Sequence, residues 1–127
     1  MRKMRDILFR GIAKTDGQRW KRGQWVFGDL VRLQDGNDGK PHIYGYGEVF
    51  PETVGQYTGI CDKNGRKIFE GDIIKCSIIY DIGCYPHSET EIKEVKYIEG
   101  CFMPLYDCER NTYEVIGNIY DNPDLIK

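Results

Sequence analysis

Long apolar runs are absent from this sequence. No stretch approaches the roughly 18 consecutive apolar residues that a membrane-spanning helix needs. The start carries charge in Arg2, Lys3 and Arg5 without the apolar centre of a secretory leader, so a cytoplasmic chain is expected. Paired cysteines are absent too. Cys61, Cys76, Cys84, Cys101 and Cys108 are odd in number and no two form a Cys-x-x-Cys pair, which reads as free thiols in a reducing compartment. Only His42 and His87 could join them as ligands, and none sits at zinc-site spacing, so no metal and no cofactor is expected. An excess of one charge sign is also lacking. The 18 basic and 20 acidic residues leave a net charge of −2, which is no electrostatic footprint for nucleic acid.

Catalytic signatures are missing in the same way. There is no phosphate-binding Walker loop and no Gly-x-Gly-x-x-Gly between a strand and a helix. Cys84 and His87 stand close enough in sequence to suggest a nucleophile and its base, but neither an orienting third group nor an oxyanion hole accompanies them. Asp35-Gly36-Asn37-Asp38-Gly39 and Asp62-Lys63-Asn64-Gly65 have the composition of calcium loops without the ligand order or flanking helices, and read as turns. No catalytic residue is assigned, and the chain is read as non-enzymatic.

What the sequence has is aromatic residues and turns. Nine Tyr, five Phe and two Trp favour a pleated surface, and 15 Gly punctuate it. Strands are expected at Ile7–Ile12, Gln24–Val31, His42–Tyr46, Val54–Ile60, Lys67–Phe69, Ile73–Tyr80, Ile92–Ile98 and Tyr113–Tyr120. Asn64-Gly65 marks a hairpin tip, because both residues tolerate positive φ. Asp81–Thr90 reads as a surface loop. Asn122-Pro123 opens one helical turn, and no longer segment has a helical period. Pro51 marks a connection between an N-terminal β part, residues 1–53, and a C-terminal part, residues 54–127. The Glu70-Gly71-Asp72 bend leading into a long strand points to a small SH3-like barrel in the second part, so the expected class is mainly β with an N-terminal β extension.

Three blocks together resemble a known family. They are Arg5-Asp6-Ile7-Leu8-Phe9-Arg10 at the start, Val54–Ile60 with Asp62–Ile74 in the middle, and Glu114–Leu125 at the end. In this order they are similar to the YopX family of bacteriophages and prophages. The resemblance implies a phage-derived protein with an SH3-type barrel in its C-terminal part. It implies no activity and carries over no catalytic residue.

Two functional readings follow. In Gln24–Val31, alternation sends Trp25, Phe27 and Val31 one way and Val26 and Leu30 the other. In Ile68–Tyr80, Ile68, Ile74, Cys76, Ile78 and Tyr80 share one face, and Phe69, Ile73 and Ile79 the opposite one. Strands apolar on both faces need a second cover, and no amphipathic helix supplies it. The expected cover is another subunit, or a phage or host protein, with Trp20, Trp25 and Phe27 as interface candidates. The alternative is nucleic-acid binding in phage replication or regulation, with Arg19, Lys21 and Arg22 as contacts and Thr58, Tyr57, Tyr44 and Tyr46, with Trp20 and Trp25, as stacking surfaces.

Overall fold

The computed structural model describes residues 6–32, 39–83, 85–105 and 112–126. It is mainly β, with twelve strands and two short 3-10 turns among those residues. The chain divides into two compact units, Met1–Gly59 and Ile60–Lys127. Each has its own apolar core.

In the N-terminal unit, β1 (Phe9–Ile12) pairs antiparallel with β2 (Trp25–Gly28), matching Gly11 with Val26 and Ile12 with Trp25. β3 (Leu30–Arg32), β4 (Pro41–Ile43) and β5 (Gly47–Glu48) form a separate three-stranded sheet. The expected single strand Gln24–Val31 is thus divided at Gly28-Asp29, and its two halves enter different sheets. Gly28 permits this because Ile43 packs where a side chain would stand, with Cγ2 only 3.2 Å from the position of a Cβ. His42–Tyr46 is likewise cut short: a turn at Tyr44-Gly45-Tyr46 uses Gly45 at φ 88°, which glycine adopts without strain. The core is Ala13, Val26, Ile43 and Val49, with Phe9, Trp20, Leu30, Tyr46 and Val54 packed around it. The turn Pro51–Thr53 closes the unit, and β6 (Gly55–Cys61) begins beside β1, with Gly55 opposite Arg10.

In the C-terminal unit, β6 ends at the Asp62–Gly65 turn and the chain returns as β7 (Lys67–Phe69). Gly65 has φ 81° and Gly71 φ 93°, as the hairpin tip and the bend require. β8 (Asp72–Ile82) then lies between β9 (Tyr85–Glu94) and β12 (Thr112–Asn118). β10 (Lys96–Ile98) and β11 (Cys101–Met103) form a hairpin turned by Glu99-Gly100, both at positive φ. The last turn, Pro123–Ile126, matches the turn expected at Asn122-Pro123. Ile68, Ile74, Cys76, Val95, Tyr113 and Val115 make the core.

Two expectations fail here. Asp81–Thr90 is not a surface loop: β8 continues to Ile82, Gly83 turns at φ 64°, and β9 runs back in register from Ile82↔Tyr85 to Ile73↔Glu94. Its polar sequence is that of an edge strand. Residues directly opposite one another share a face, so Glu89, Glu91 and Lys93 take the positions across from Ile78, Cys76 and Ile74. Charged side chains along that outer strand, with Pro86, discourage a further strand from pairing on that edge. The closed SH3-like barrel is not formed either. Among the described residues the sheets are open, because β9 and β12 end the three-stranded sheet and β10–β11 stands as a separate pair. Closure would need one of those outer strands to find a partner across the unit.

Candidate interaction face

β1 and β2 have one face in the core and one face out. Phe9, Gly11 and Ala13 point inward with Val26. Arg10, Ile12 and Lys14 point the other way with Trp25 and Phe27, as the pairs Arg10↔Phe27 and Ile12↔Trp25 require. That outer face combines aromatic rings with cations. Arg10, although only 6% exposed, places its guanidinium 4.5 Å from the Trp25 ring centroid. Gly55, its partner on the other side, has no side chain to compete for the space. A buried arginine stacked in this way gains about 0.5–2 kcal/mol from the ring and holds Trp25 in place.

Phe50 extends the face. Its N–H donates to Ile12 O at 3.0 Å, and Ile12 N–H donates to Thr53 Oγ1 at 2.9 Å. The Arg22 guanidinium lies 5.7 Å and the Lys14 ammonium 6.0 Å from the Phe50 ring centroid. Lys14 also bridges Glu48 at 2.9 Å, and that hydrogen bond holds the Glu48 carboxyl below its ordinary pKa. Phe27 completes the face at 46% exposure. A large ring standing half in water on an otherwise ordered sheet is the feature that interfaces use.

The sequence-derived candidates separate. Trp25 and Phe27 share this face. Trp20 does not belong with them: it packs against the core, 5.5 Å edge-on to Tyr46, and its Nε1–H donates to Thr15 O at 3.0 Å. Val31 departs as well, carried into the second sheet by the break at Gly28. Phe69 and Ile73 are buried, so the part of the case for a partner that rested on them falls away. Arg19, Lys21 and Arg22 are exposed in the β1–β2 connection. Of the proposed stacking residues, Tyr57 is buried, Tyr46 is held by Trp20, and Tyr44 stands 75% exposed. Arg10 is an interior member of the face. A lone arginine inside the short apolar strand expected at Ile7–Ile12 was the available signal.

No group of three or more His, Cys, Asp or Glu among the described residues is arranged to hold a metal. The Asp62 carboxylate, in the stretch with calcium-loop composition, is occupied by backbone. Oδ1 accepts from the N–H groups of Asn64 and Arg66, each at 2.9 Å, and Oδ2 from that of Val115 at 3.0 Å. The Asp35–Gly39 stretch lies outside the described residues up to Asp38, as do Cys84, Cys108 and the side chain of His87. Burial pushes the Cys76 thiol up to about 11, and the nearby Glu91 adds to this. At mildly alkaline pH, iodoacetamide is therefore expected to alkylate the exposed Cys61 and Cys101 and to spare Cys76 until denaturant is added. Peptide mass spectrometry reads this directly. Native-state labelling of Cys76 as fast as Cys61 would contradict its place in the core.

Charge is divided between the units. Residues 1–59 hold ten basic and seven acidic residues, and residues 60–127 eight and thirteen, so the units carry +3 and −5. The near-neutral total conceals this asymmetry. No helix among the described residues is long and apolar enough to cross a membrane.

A model of the YopX protein family matches residues 13–127. The match contains the second and third of the three sequence blocks and begins after the first. No curated protein matches the sequence.

Proposed function

The chain belongs to the YopX protein family, and we propose that it acts as a non-enzymatic binding module, self-associating or docking a second protein through its Trp25–Phe27 face. Its setting would be that of a bacteriophage or prophage accessory protein in the cytoplasm of a bacterial host. The observation that carries the reading is Phe27, 46% exposed on a sheet face whose neighbours Arg10 and Trp25 are locked together. Preorganised aromatic anchors of this kind lose little conformational freedom on binding. The barrel implied by family resemblance is not required.

Sedimentation equilibrium at micromolar concentration tests it. The wild type is expected to exceed the 14.8 kDa of one chain, and Phe27→Ser to return to it. A wild-type mass of 14.8 kDa would reject self-association and leave a different protein as the partner.

A second reading is favoured by the +3 charge of the N-terminal unit and its exposed Arg19, Lys21 and Arg22. There the face would take single-stranded nucleic acid. Retention of labelled oligonucleotide that falls steeply with salt, and that is lost in Arg22→Glu, would move the assignment to this reading.

A further inference from the structure

A row of hydroxyls crosses the three-stranded sheet of the C-terminal unit. Ser77 on β8 stands between Thr112 on β12 and Thr90 on β9, and residues directly opposite one another share a face. Two positions along β8, Lys75 joins the same face, opposite Glu114. Alternation turns Cys76 and Tyr113 to the other face, into the core. Lys63 reaches the row from the side. Its N–H donates to Tyr113 O at 2.9 Å, and the Asp62 carboxylate ties the same turn to Val115 N–H, so the turn is fixed against β12. The Lys63 ammonium then lies 3.7 Å from Glu114 Oε1. A close charge-assisted hydrogen bond would be about 2.7–2.9 Å, so Lys63 keeps donors for another acceptor.

Lys63, Lys75, Ser77, Thr90, Thr112 and Glu114 line a cleft of about 140 Å³. Two ammonium groups against one carboxylate leave it a local charge of +1, and the three hydroxyls add donors. Among the described residues, the side chains of Lys75, Ser77, Thr90 and Thr112 spend no hydrogen bond or ion pair on the protein. We propose that this cleft binds a small oxyanion of the phosphate class. An oxyanion offers acceptors only, which is what hydroxyl and ammonium donors converging on one space select. The cleft is smaller than the roughly 300–1,000 Å³ of sites that enclose a whole organic ligand, so it suits a single phosphoryl group. The charge of −5 on the unit does not oppose this. Glu89 and Glu91 alternate onto the face opposite Thr90, and charges more than about 8 Å away are largely screened at physiological ionic strength. The site lies within the C-terminal unit and is independent of self-association.

Titration of ¹⁵N-labelled protein with inorganic phosphate, against sodium chloride at matched ionic strength, tests the proposal through amide chemical shifts. Saturable shifts are expected at Lys75, Ser77, Thr90 and Thr112 with phosphate and not with chloride. Lys75→Gln is expected to weaken affinity about tenfold, the worth of one hydrogen bond to a charged group. Glu114→Gln is expected to tighten it, because like charge is removed and Lys63 is released. Lys93→Gln, on the opposite face beside Glu91, should leave it unchanged. Lys75 and Lys93 are exposed, and thermal melts check the fold of each variant. If Lys75→Gln does not fold, Thr90→Val, also exposed, takes its place with a weakening expected. A nucleoside 5′-monophosphate in place of phosphate separates the sources: tighter binding marks a phosphate monoester, and equal or weaker binding marks free phosphate. Shifts that grow without saturating, or that chloride reproduces, overturn the site. So does Glu114→Gln that weakens binding, since the carboxylate would then hold the ligand, or Lys75→Gln that leaves binding unaltered.

Discussion

Asp62→Ala is expected to destabilise the protein by about 2–4 kcal/mol, as charge-assisted hydrogen bonds are lost and Val115 N–H is left buried without an acceptor. Asp62 is a turn residue and a tether at once. Oδ1 accepts from Asn64 and Arg66 N–H and shapes the hairpin tip, while Oδ2 accepts from Val115 N–H, 53 residues away on β12. Lys63 N–H adds a backbone bond to Tyr113 O at 2.9 Å. Without the carboxylate, the β6–β7 hairpin loses its side-chain anchor to the three-stranded sheet and keeps the Lys63–Tyr113 backbone bond. Urea titration followed by circular dichroism measures the loss. A midpoint unchanged from wild type would show that the tether contributes nothing.

The same carboxylate makes stability depend on pH. Burial acts to raise the Asp62 pKa, but the three N–H donors outweigh it and hold the group below its ordinary value of 3.8. A carboxyl whose folded pKa is depressed binds protons more readily unfolded than folded. Its contribution is present above pH 3.8 and is lost as pH falls through the lower, folded value. Asp62→Asn should therefore flatten the acid limb of the stability curve relative to wild type.

Gly71→Val is expected to cost about 1–3 kcal/mol, because a β-branched residue is strained at positive φ. Gly71 has φ 93° and cannot easily rotate away. Its N–H donates to Val95 O at 2.9 Å, and its O accepts from Ile119 N–H at 3.0 Å, so the bend is held from both sides. Asp72 tightens it further, accepting from Phe69 N–H at 2.8 Å through Oδ2. Gly65→Asn is the control: φ there is 81°, a Cβ meets nothing within 4 Å, and asparagine tolerates this region. Thermal melts should separate the two variants clearly. Equal melting temperatures for Gly71→Val and wild type would show that the bend does not constrain the fold.

These two sites were legible in the sequence because their chemistry is local. Asn64-Gly65 and Gly71-Asp72 dictate backbone geometry over four or five residues, and the strands on either side follow. What was not legible depends on partners distant in sequence. Gln24–Val31 has an unbroken β pattern, and only the packing of Ile43 against Gly28 reveals its division. The Asp81–Thr90 stretch reads as a loop because it is largely polar, a composition that suits an edge strand and a loop alike. Barrel closure depends on which outer strands meet, which no local signal encodes.

The candidate face was partly legible for the same reason. Alternation alone places Trp25 and Phe27 opposite the buried Val26. It could not place Trp20, whose position is set by Tyr46 and the Thr15 carbonyl, nor show that Arg10 lies beneath Trp25 with Gly55 beside it. The charge division between units needed the unit boundary.

Hydroxyl-radical footprinting across a concentration series tests most directly whether the Trp25–Phe27 face is the one covered on association. Phe27 oxidation is expected to slow several-fold between low and high micromolar protein, while Tyr44, the more exposed ring at 75%, keeps its rate as an internal control. Phe27 oxidised at the same rate across the series, while sedimentation shows the mass rising, would contradict the account.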